Sequence, residues 1–357
     1  MNGPPPLLST SNRVEFSSKR HEQLFAFPNS NCPVPLKEVS DAAMADAKML
    51  SVWAARALES RLNPAQGSAT ENGEGPDQLM THDLMSHNDV EALARELLSA
   101  SETGRMVDAP PSEHPGFDLN TAYEVETRLK QFREAAGHRA VGRKVGYANK
   151  AMWRLLKLET LVWAHMYDDT VHYAESNSAT LSFPHPRSLK IEPEIIFGLK
   201  APVTGESSDA AAALASSDWL ALGFEIIDCP FPDWKFQPSD FVASFGLHAA
   251  LVVGERIQVR PDLIATLMDE LPRFKVRMSK SGEIVEEGSG RNSLKSPALC
   301  LAELDAAITR RFPSHPLSAG EIVSSGTLTA GHLTGKGDHW TAEVEGIFLP
   351  ALTLRLT

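Results

Sequence analysis

The segment from Ile191 to Phe197 places two glutamates, Glu192 and Glu194, among strongly apolar residues. Residues two apart on a β-strand point to the same face, so the two carboxylates project together while their apolar neighbours project the other way. A half-exposed strand with a solvated acidic face is the usual reason for such a pattern. The alternative is that both carboxylates enter one small polar volume. The two interpretations can be distinguished only with information from the rest of the sequence.

A third carboxylate stands in an apolar run that favours the alternative. Glu225 is the only charged residue between Trp219 and Ile227, and a run of this kind is typical of a strand buried on both faces. Burying a carboxylate costs free energy unless a partner compensates its charge, and a metal ion can compensate several carboxylates at once. Carboxylate oxygens with no His or Cys nearby favour a hard cation. We therefore predict that Glu192, Glu194 and Glu225 converge on Mg²⁺ or Mn²⁺.

The composition is typical of a protein that handles small molecules. At 357 residues, 42% of them hydrophobic, the chain can bury a large core as one domain or as one domain with an extension. A net charge of −12, with 34 scattered basic residues, argues against a nucleic-acid or anionic-membrane surface. No apolar run reaches the roughly 18 residues of a membrane span. Three widely spaced cysteines indicate a reducing compartment, so we expect a cytoplasmic protein.

The first 80 residues are predicted to form an N-terminal extension. Residues 1–37 are rich in Pro, Ser and Asn and show little periodicity, so an irregular segment is expected. Apolar residues recur at helical spacing over 39–62, which predicts one amphipathic helix. Residues 63–80 have the composition of a surface linker. The main domain is therefore predicted to cover residues 81–357.

Two helices followed by a series of strands are predicted in the main domain. One helix begins near Asn88 and ends near Ala100, and a second, capped by Asp118 or Asn120, ends before Gly137. Strands in series, rather than in strict alternation with helices, favour an α+β fold whose mixed or antiparallel sheet curls on itself. The predicted strands cover 140–147, 189–199, 219–228, 248–254, 273–279, 321–326 and 340–356, with helices near 261–270 and 298–311.

Several short stretches carry a resemblance to a known family. In chain order they are Thr121–Glu126, Gly142–Gly146, Ile191–Glu194, Phe224–Ile226, Gly320–Val323 with Ser325–Thr327, and Lys336–Asp338 with Val344–Ile347. By their order and spacing, they make the chain from residue 118 onward similar to the fumarylacetoacetate hydrolase superfamily. Within it, the chain resembles the 2-keto-4-pentenoate hydratase and 4-oxalocrotonate decarboxylase branch.

The resemblance implies a mixed β-roll or barrel with flanking helices, in which residues 81–357 form a catalytic domain. It also implies a divalent metal held by Glu192, Glu194 and Glu225, and a substrate-facing lysine, Lys144, in the Gly-x-Lys-x-Gly element. Spacing alone would make Lys144 a surface lysine before a turn, so its role depends on the resemblance.

Two motifs of the branch are missing from this chain. The Pro-Asp-aromatic-Gly element, whose acid assists proton transfer, has no counterpart between Lys150 and Met166, and Ser244–His248 replaces an Asp-Asn-Ala-Ser-like segment. His248 is the best candidate for the missing acid, although a buried structural histidine is the more ordinary interpretation. His165 is expected in a loop with solvated charges.

Four further residues are candidates for binding the substrate. Gly326 and Thr327 would offer a backbone N–H and a hydroxyl to a substrate carboxylate, with a tight turn as the alternative. Trp163 is assigned to the substrate pocket. Arg291 would pair with a second carboxylate if the substrate is a diacid, whereas a solvated loop arginine is the simpler interpretation. Three aromatic residues would either wall an apolar substrate tail or lie in the core, namely Phe231, Trp234 and Phe236.

The predicted function is that of a metal-dependent lyase. Three carboxylates around a divalent ion leave a net charge of −1, so the site should prefer a chelating ligand together with a cation. A 2-oxo acid satisfies this preference, because its carboxylate and keto oxygens chelate the metal while Lys144 neutralises the excess charge. Metal and lysine would then stabilise an enolate, which hydration and decarboxylation share.

Two alternatives remain open at this point. Hydrolytic C–C cleavage of an acylpyruvate or β-diketone would need a histidine poised against a carboxylate to activate water. A catalytically inactive partner subunit would explain the missing Pro-Asp element and the long extension. The expected partner is a small-molecule 2-oxo acid, without nucleic acid or membrane, and the expected assembly is a homodimer or a multiple of dimers.

Overall fold

A computed structural model of the protein describes residues 85–203 and 209–357. The predicted extension of residues 1–80, with its amphipathic helix and linker, lies outside these residues. None of the helices within the described ranges has both the length and the apolar composition that crossing a membrane requires.

Two long helices open the described chain. Helix α1 (His87–Thr103) begins at Ser86, whose hydroxyl accepts from the Asp89 N–H while the Asp89 carboxylate accepts from the Ser86 N–H. This reciprocal capping box places the helix start two residues before the predicted cap. Helix α2 (Leu119–Ala135) begins at Asp118, whose side chain accepts from a first-turn N–H, as predicted.

The remaining elements are shorter helices and fourteen strands within the described residues. The helices are α3 (Lys150–Leu156), α4 (Ala210–Ser216), α5 (Pro238–Ala243), α6 (Ile264–Glu270) and α7 (Pro297–Arg311). The strands are β1 (Ala140–Gly146), β2 (Val162–Tyr167), β3 (Val171–Tyr173), β4 (Ser178–Leu181), β5 (Leu189–Leu199), β6 (Ser217–Asp228), β7 (His248–Val253), β8 (Ile257–Gln258), β9 (Lys275–Lys280), β10 (Glu283–Ser289), β11 (Ile322–Thr327), β12 (His332–Leu333), β13 (His339–Glu345) and β14 (Leu352–Leu356).

Nine of these strands form one mixed sheet that rolls up. Its order is β2-β1-β11-β5-β6-β7-β3, with β12 beside β5 and β8 beside β6. The pairs β1–β11 and β3–β7 are parallel and the others are antiparallel. Strands β2 and β3 lie at opposite ends of this order, yet only residues 168–170 join them. Because so short a connection spans only about 14 Å, the two ends of the sheet must approach each other.

A second sheet of five strands has the order β10-β9-β13-β14-β4. The segment predicted as one strand over 340–356 is two antiparallel strands, β13 and β14, separated by a turn that contains Gly346 at φ 88°. Strand β10 was not predicted. It forms a hairpin with β9 through Ser281 and Gly282, which both have positive φ, as a tight hairpin turn requires.

The inner face of the roll is apolar at one end and polar at the other. An apolar cluster fills the first end; it consists of Met166, Val171, Ile196, Ala221, Leu251, Val253 and Ile322. The outer face packs into a separate, larger core with the helices and the second sheet. Strand β5 shows the division, because Ile195 and Phe197 belong to the larger core while Ile196 belongs to the inner cluster. Alternation therefore places Glu192 and Glu194 on the inner face, beyond Ile196.

Candidate metal centre

Three glutamates meet on the inner face of β5 and β6. The antiparallel register places Glu192 directly opposite Glu225, and Glu194 opposite Gly223. Each glutamate offers one carboxylate oxygen, and these oxygens all lie within 4.8 Å of one another. Glu194 is 1% exposed and Glu225 is fully buried, whereas Glu192 is half-buried. This is the convergence that the alternation of the sequence predicts; metal binding by these residues remains a prediction.

Strand β11 holds the Glu194 carboxylate from the neighbouring position in the sheet. Its Oε2 accepts from the Ser324 hydroxyl at 2.5 Å and from the Gly326 N–H at 2.8 Å. Burial, followed by the negative charge of Glu225, raises the pKa of Glu194 well above its ordinary value, although the charge of Lys144 acts in the opposite sense. A cation bound between the two carboxylates would offset the repulsion between Glu194 and Glu225.

The Glu225 carboxylate has a cationic or polar donor at each oxygen. Lys144 Nζ donates to Oε2 at 2.7 Å, and His248 Nδ1 lies 2.9 Å from Oε1. Burial by itself would raise the pKa of Glu225, but the charge of Lys144 and the hydrogen bond from His248 outweigh it and lower that pKa below its ordinary value. The contacts with Lys144 and His248 therefore favour the ionised form of Glu225.

Lys144 reaches Glu225 from β1 through a space that a glycine leaves open. Its side chain is buried, and Nζ lies 4.9 Å from the centre of the Phe241 ring. Gly246 has φ 62°, and a Cβ at that position would lie 2.6 Å from the Lys144 Cδ. Only glycine satisfies both constraints at residue 246, because the backbone is left-handed and the space is already filled. Lys144 is thus a buried cation of the site and not a surface lysine.

His248 is held at both ring nitrogens. Nδ1 faces Glu225, and Nε2 lies 3.0 Å from the Thr170 hydroxyl. That hydroxyl donates to the Tyr167 carbonyl at 3.0 Å, so it accepts from the Nε2–H. Both ring nitrogens therefore have partners within the protein, and the contact with Nδ1 orients the Glu225 carboxylate. The acid–base role of His248 stays a prediction.

The structure also changes the interpretation of two predicted substrate donors. The Gly326 N–H donates to Glu194, and Gly326 adopts φ 89° with a would-be Cβ 2.8 Å from the Ala148 Cβ. The Thr327 hydroxyl donates to the Thr329 carbonyl at 2.8 Å. Both groups have partners within the protein, a glutamate and a turn, and substrate binding by them stays a prediction.

Trp163 and His165 lie on the face of the sheet opposite to the glutamates. On β2, Ala164 pairs with Lys144, whereas Trp163 pairs with Val145 and His165 with Arg143. Directly paired residues share a face, so Trp163 and His165 face helix α2 instead of the site. Trp163 is therefore a core residue, and the expectation that His165 lies in a loop is wrong because it lies in a buried strand.

Arg291 is solvent-exposed on the short helical turn Gly290–Asn292. This position agrees with the simpler interpretation, a solvated loop arginine. The aromatic residues after β6 are divided between the two interpretations. Phe231 is buried in the larger core, whereas Trp234 and Phe236 are half-buried at its edge.

One residue of the inner face was missed, namely Lys190. It stands two residues before Glu192 on β5, so the same alternation that pairs Glu192 with Glu194 assigns Lys190 to their face. Its Nζ lies 3.8 Å from the centre of the Trp234 ring. Burial lowers the pKa of the Lys190 ammonium, although the charge of Glu192 opposes this effect. The signal that identifies Lys190 was therefore present in the strand pattern.

A second group of possible metal ligands lies elsewhere on the described surface. His138, Asp168 and Asp169 come within 4.8 Å of one another, but both aspartates are exposed or nearly so. Arg139 binds Asp168, and Arg133 binds Asp169 at 2.6 Å. These cations already neutralise the carboxylates, so the group is an ordinary surface ion-pair cluster. The inner cluster, with three oxygen donors in a buried volume, suits a hard divalent cation better.

Comparison with known proteins finds relatives that are hydratases and decarboxylases. No protein-family model matches the sequence. The 2-hydroxyhexa-2,4-dienoate hydratase of Comamonas testosteroni is 27% identical over 258 residues, which are 72% of this chain and 94% of that protein. The 4-oxalocrotonate decarboxylase of Pseudomonas sp. (strain CF600) is 27% identical over 266 residues, covering 74% of this chain and 96% of that enzyme.

Solved structures show a similar fold. The 4-oxalocrotonate decarboxylase from Pseudomonas putida G7, complexed with magnesium and adipate, superposes with a TM-score of 0.68 at 24% identity, covering 76% of this chain and 99% of that one. The same enzyme complexed with calcium and acetate gives a TM-score of 0.67. These matches confirm the predicted fold class. In sequence, the chain is therefore similar to 2-keto-4-pentenoate hydratases and 4-oxalocrotonate decarboxylases.

Proposed function

We propose that the protein is a divalent-metal-dependent lyase that acts on a 2-oxo acid, as a hydratase or a decarboxylase. The observation that carries this proposal is the convergence of Glu192, Glu194 and Glu225 in the roll, with the Lys144 ammonium against Glu225. The relatives support it, because they are named hydratases and decarboxylases and one solved relative holds magnesium. We propose Mg²⁺ or Mn²⁺ as the ion and the three glutamates as its ligands.

The charges of the site favour a chelating anionic ligand. Three carboxylates exceed the charge of one divalent ion, and Lys144 supplies one further positive charge. When bound, the ion would act as a Lewis acid toward the ketone of the substrate. The Lys144 ammonium has three N–H donors, of which Glu225 accepts one. The other two can stabilise negative charge that develops on the substrate oxygen during enolate formation.

The closed end of the roll would orient the substrate and exclude water. Ile196, Ala221 and Ile322 fill the inner face beyond Glu194 and leave little exposed surface there. The chelating end of a substrate would therefore lie at the glutamates, and the rest of it would extend toward the half-buried end of β5. A dry environment strengthens the interaction of Lys144 with a developing oxyanion.

Hydrolytic C–C cleavage receives limited support. The feature expected for this reaction is a histidine poised against a carboxylate, and His248 Nδ1 does lie 2.9 Å from Glu225 Oε1. However, its second nitrogen is bound to the Thr170 hydroxyl, so it has no free nitrogen with which to activate water. Decarboxylation, which needs no base to activate water, agrees better with this geometry.

An inactive partner subunit is also disfavoured. Glu194 is almost fully buried beside Glu225, and both residues are costly to bury in a protein that does not use them. The chain nevertheless has all three glutamates, together with the glycine that leaves room for Lys144.

For the compartment and the assembly, we propose a cytoplasmic protein that forms a homodimer or a multiple of dimers. The two cysteines in the described residues are free and buried, which is compatible with a reducing compartment.

Calorimetry of the metal-stripped protein tests the proposed function. Titration with Mg²⁺ or Mn²⁺ should give one site per chain, and oxalate or pyruvate should then bind only when metal is present. If neither metal nor mimic binds, the glutamates are structural and the inactive-subunit alternative becomes the better one. Metal binding with mimic binding that does not depend on it would contradict the chelation step alone.

A further inference from the structure

A cavity whose lining contains none of the three glutamates opens between helices α4, α6 and α7. Its volume is about 520 Å³, which falls within the roughly 300–1,000 Å³ that is usual for small-molecule sites. Polar groups come from the start of α7 and from the residue before α4, and apolar groups come from α6 and the first turn of α7. The lining includes Asp209, Met268, Pro272, Lys295, Ser296 and Leu299.

The start of helix α7 has hydrogen-bond donors that no cap side chain uses. The first N–H groups of a helix lack intrahelical acceptors, and the side chain of the N-cap residue normally accepts from one of them. Ser296 is the N-cap of the 15-residue α7, but its hydroxyl accepts from none of these N–H groups. The positive end of the helix dipole therefore lies uncapped beside the cavity, which Ser296 and Leu299 line.

The Ser296 hydroxyl is a second, independent observation that points to a ligand. The residue is only 4% exposed, and within residues 85–203 and 209–357 its hydroxyl forms no hydrogen bond. Ser296 lines the cavity, so a molecule bound there can reach this hydroxyl. A buried polar group without a partner costs free energy, and an acceptor atom in the cavity would recover that cost.

The charges around the cavity suit a single negative charge. Lys295 is exposed and forms no salt bridge in the part of the chain that the structure describes, so it adds a full positive charge to the roughly half charge of the helix N-terminus. Asp209 opposes them, and its carboxylate accepts from the Ala212 N–H at 2.8 Å. The balance of about half a positive charge matches one carboxylate better than a phosphate dianion.

The rest of the lining is apolar. Met268, which stands on α6, is 43% exposed, and Pro272 follows the same helix. Leu299 adds a third apolar surface from the first turn of α7. A ligand with an apolar body would remove these surfaces from water, and each methylene that it buries would raise its affinity about fourfold.

We propose that this cavity binds a small molecule that carries one carboxylate on an apolar body. The carboxylate accepts from the Ser296 hydroxyl and from the free N–H groups of the first turn of α7, with the Lys295 ammonium beside it. The apolar body lies against Met268 and Pro272. The site goes beyond the proposed lyase function, because it uses neither the metal nor the three glutamates.

The first test compares hexanoate with two ligands that each lack one of its parts. Calorimetry with the full-length, Mg²⁺-loaded protein should show one hexanoate site per chain. Acetate, which lacks the apolar chain, should bind at least about tenfold more weakly, and hexanol, which lacks the charge, should bind at least about tenfold more weakly as well. Absence of hexanoate binding would overturn the proposal, and so would equal affinities for hexanoate and hexanol.

The second test assigns the binding to the start of α7. Lys295→Gln should raise the Kd of hexanoate at least about threefold through loss of the charge. The matched control is Lys336→Gln, because Lys336 is also an exposed lysine without a salt bridge among the described residues, and it should keep the wild-type Kd. Equal Kd values in the two variants would contradict the assignment to Lys295.

Ser296→Ala distinguishes a ligand-binding hydroxyl from a capping one. Because this hydroxyl caps no N–H, its removal should leave Tm within about 1 °C of the wild type while it raises the Kd of hexanoate about fivefold. A fall in Tm of several degrees with an unchanged Kd would show that the hydroxyl caps α7, and it would overturn the proposed contact.

Glu194→Gln tests whether hexanoate binds at the cavity or at the metal. This variant should bind hexanoate with the wild-type Kd, because the cavity lining does not include Glu194. Hexanoate binding that is lost in Glu194→Gln and kept in Lys295→Gln and Ser296→Ala would place the carboxylate on the metal, and the proposed site would be wrong.

Discussion

Glu225 illustrates how a single residue can be found by sequence while its surroundings are not. Its isolation in an apolar strand marks it as a carboxylate with a compensating partner, and the structure supplies two such partners, Lys144 and His248, within hydrogen-bond distance. The sequence places these partners 81 and 23 residues away, where no local pattern links them to Glu225. For the same reason, the partners of the two His248 ring nitrogens could not be predicted from the sequence.

The first prediction concerns Glu194. Glu194→Gln keeps the size of the side chain but removes a predicted metal ligand, so the affinity for Mg²⁺ should fall at least about 100-fold, because the loss of groups that merely support ligands already costs 10- to 100-fold. Activity should be lost with the metal. Calorimetry of the metal-stripped variant measures the affinity, and an Mg²⁺ affinity equal to that of the wild type would rule out Glu194 as a ligand.

The second prediction separates Lys144 from the metal ligands. Lys144→Met should bind Mg²⁺ at least as tightly as the wild type, because the ammonium no longer competes for Glu225, while kcat falls about 100- to 1,000-fold through loss of a donor to the developing oxyanion. Metal titration and steady-state kinetics on the same preparation measure both effects. Lys275→Met, at an exposed position of β9, is the control. Loss of Mg²⁺ binding in Lys144→Met would show that its role is to hold the metal ligands.

At the scale of the secondary-structure elements, strands with a clear apolar run of their own were predictable, whereas strands that depend on pairing with distant segments were not. Strand β5 was predicted with its observed bounds, because its apolar run and alternating charges need no information from elsewhere in the chain. Strand β2 was missed, and its residue His165 was placed in a loop. The aspartates that suggested the loop belong to the turn that follows β2. What makes β2 a strand is its pairing with β1 and a contact from Glu126 on helix α2, neither of which is local.

The third prediction concerns this contact between helix α2 and strand β2. Glu126 is buried and lies 2.5 Å from His165 Nδ1. Burial by itself would raise its pKa, but the charge and hydrogen bonds of His165 and the charge of Arg143 lower it below its ordinary value of 4.5. A lowered folded-state pKa means that the ionised carboxylate stabilises the protein above about pH 4.5, and that this stabilisation is lost as the pH falls through the folded-state pKa.

Glu126→Gln should therefore lower the free energy of unfolding at pH 7 by about 2–3 kcal/mol, because the neutral amide interacts less strongly with His165 and Arg143. Urea unfolding of variant and wild type at several pH values measures the difference, which should shrink as the pH falls below about 4.5. Glu124→Gln, at an exposed position of the same helix, serves as the control. A difference that does not depend on pH would show that the charge of Glu126 does not stabilise the fold.

At the scale of the whole molecule, the family resemblance predicts the roll and the residue patterns alone do not. Apolar runs in series indicate a curling sheet, but the strand order depends on pairings between distant segments, such as β1 with β11. The roll gives the chain an inner face with an apolar end and a polar end, and it places the three glutamates at the junction of the two. A cation bound there would contact strands β5 and β6 together and reach β11 through the hydrogen bonds of Glu194.

The last prediction follows from this central position. An ion that binds only the folded roll stabilises the whole domain by mass action, by about 2.7 kcal/mol at a concentration 100 times its Kd. For a domain of this size, that corresponds to a rise in Tm of about 5 °C or more, measurable by calorimetric scans of the stripped protein with and without Mg²⁺. Glu194→Gln should abolish the rise, whereas Asp168→Asn, in the surface ion-pair cluster, should retain it. A rise that is lost in Asp168→Asn and kept in Glu194→Gln would place the ion at the surface cluster and would remove the basis of the proposed lyase site.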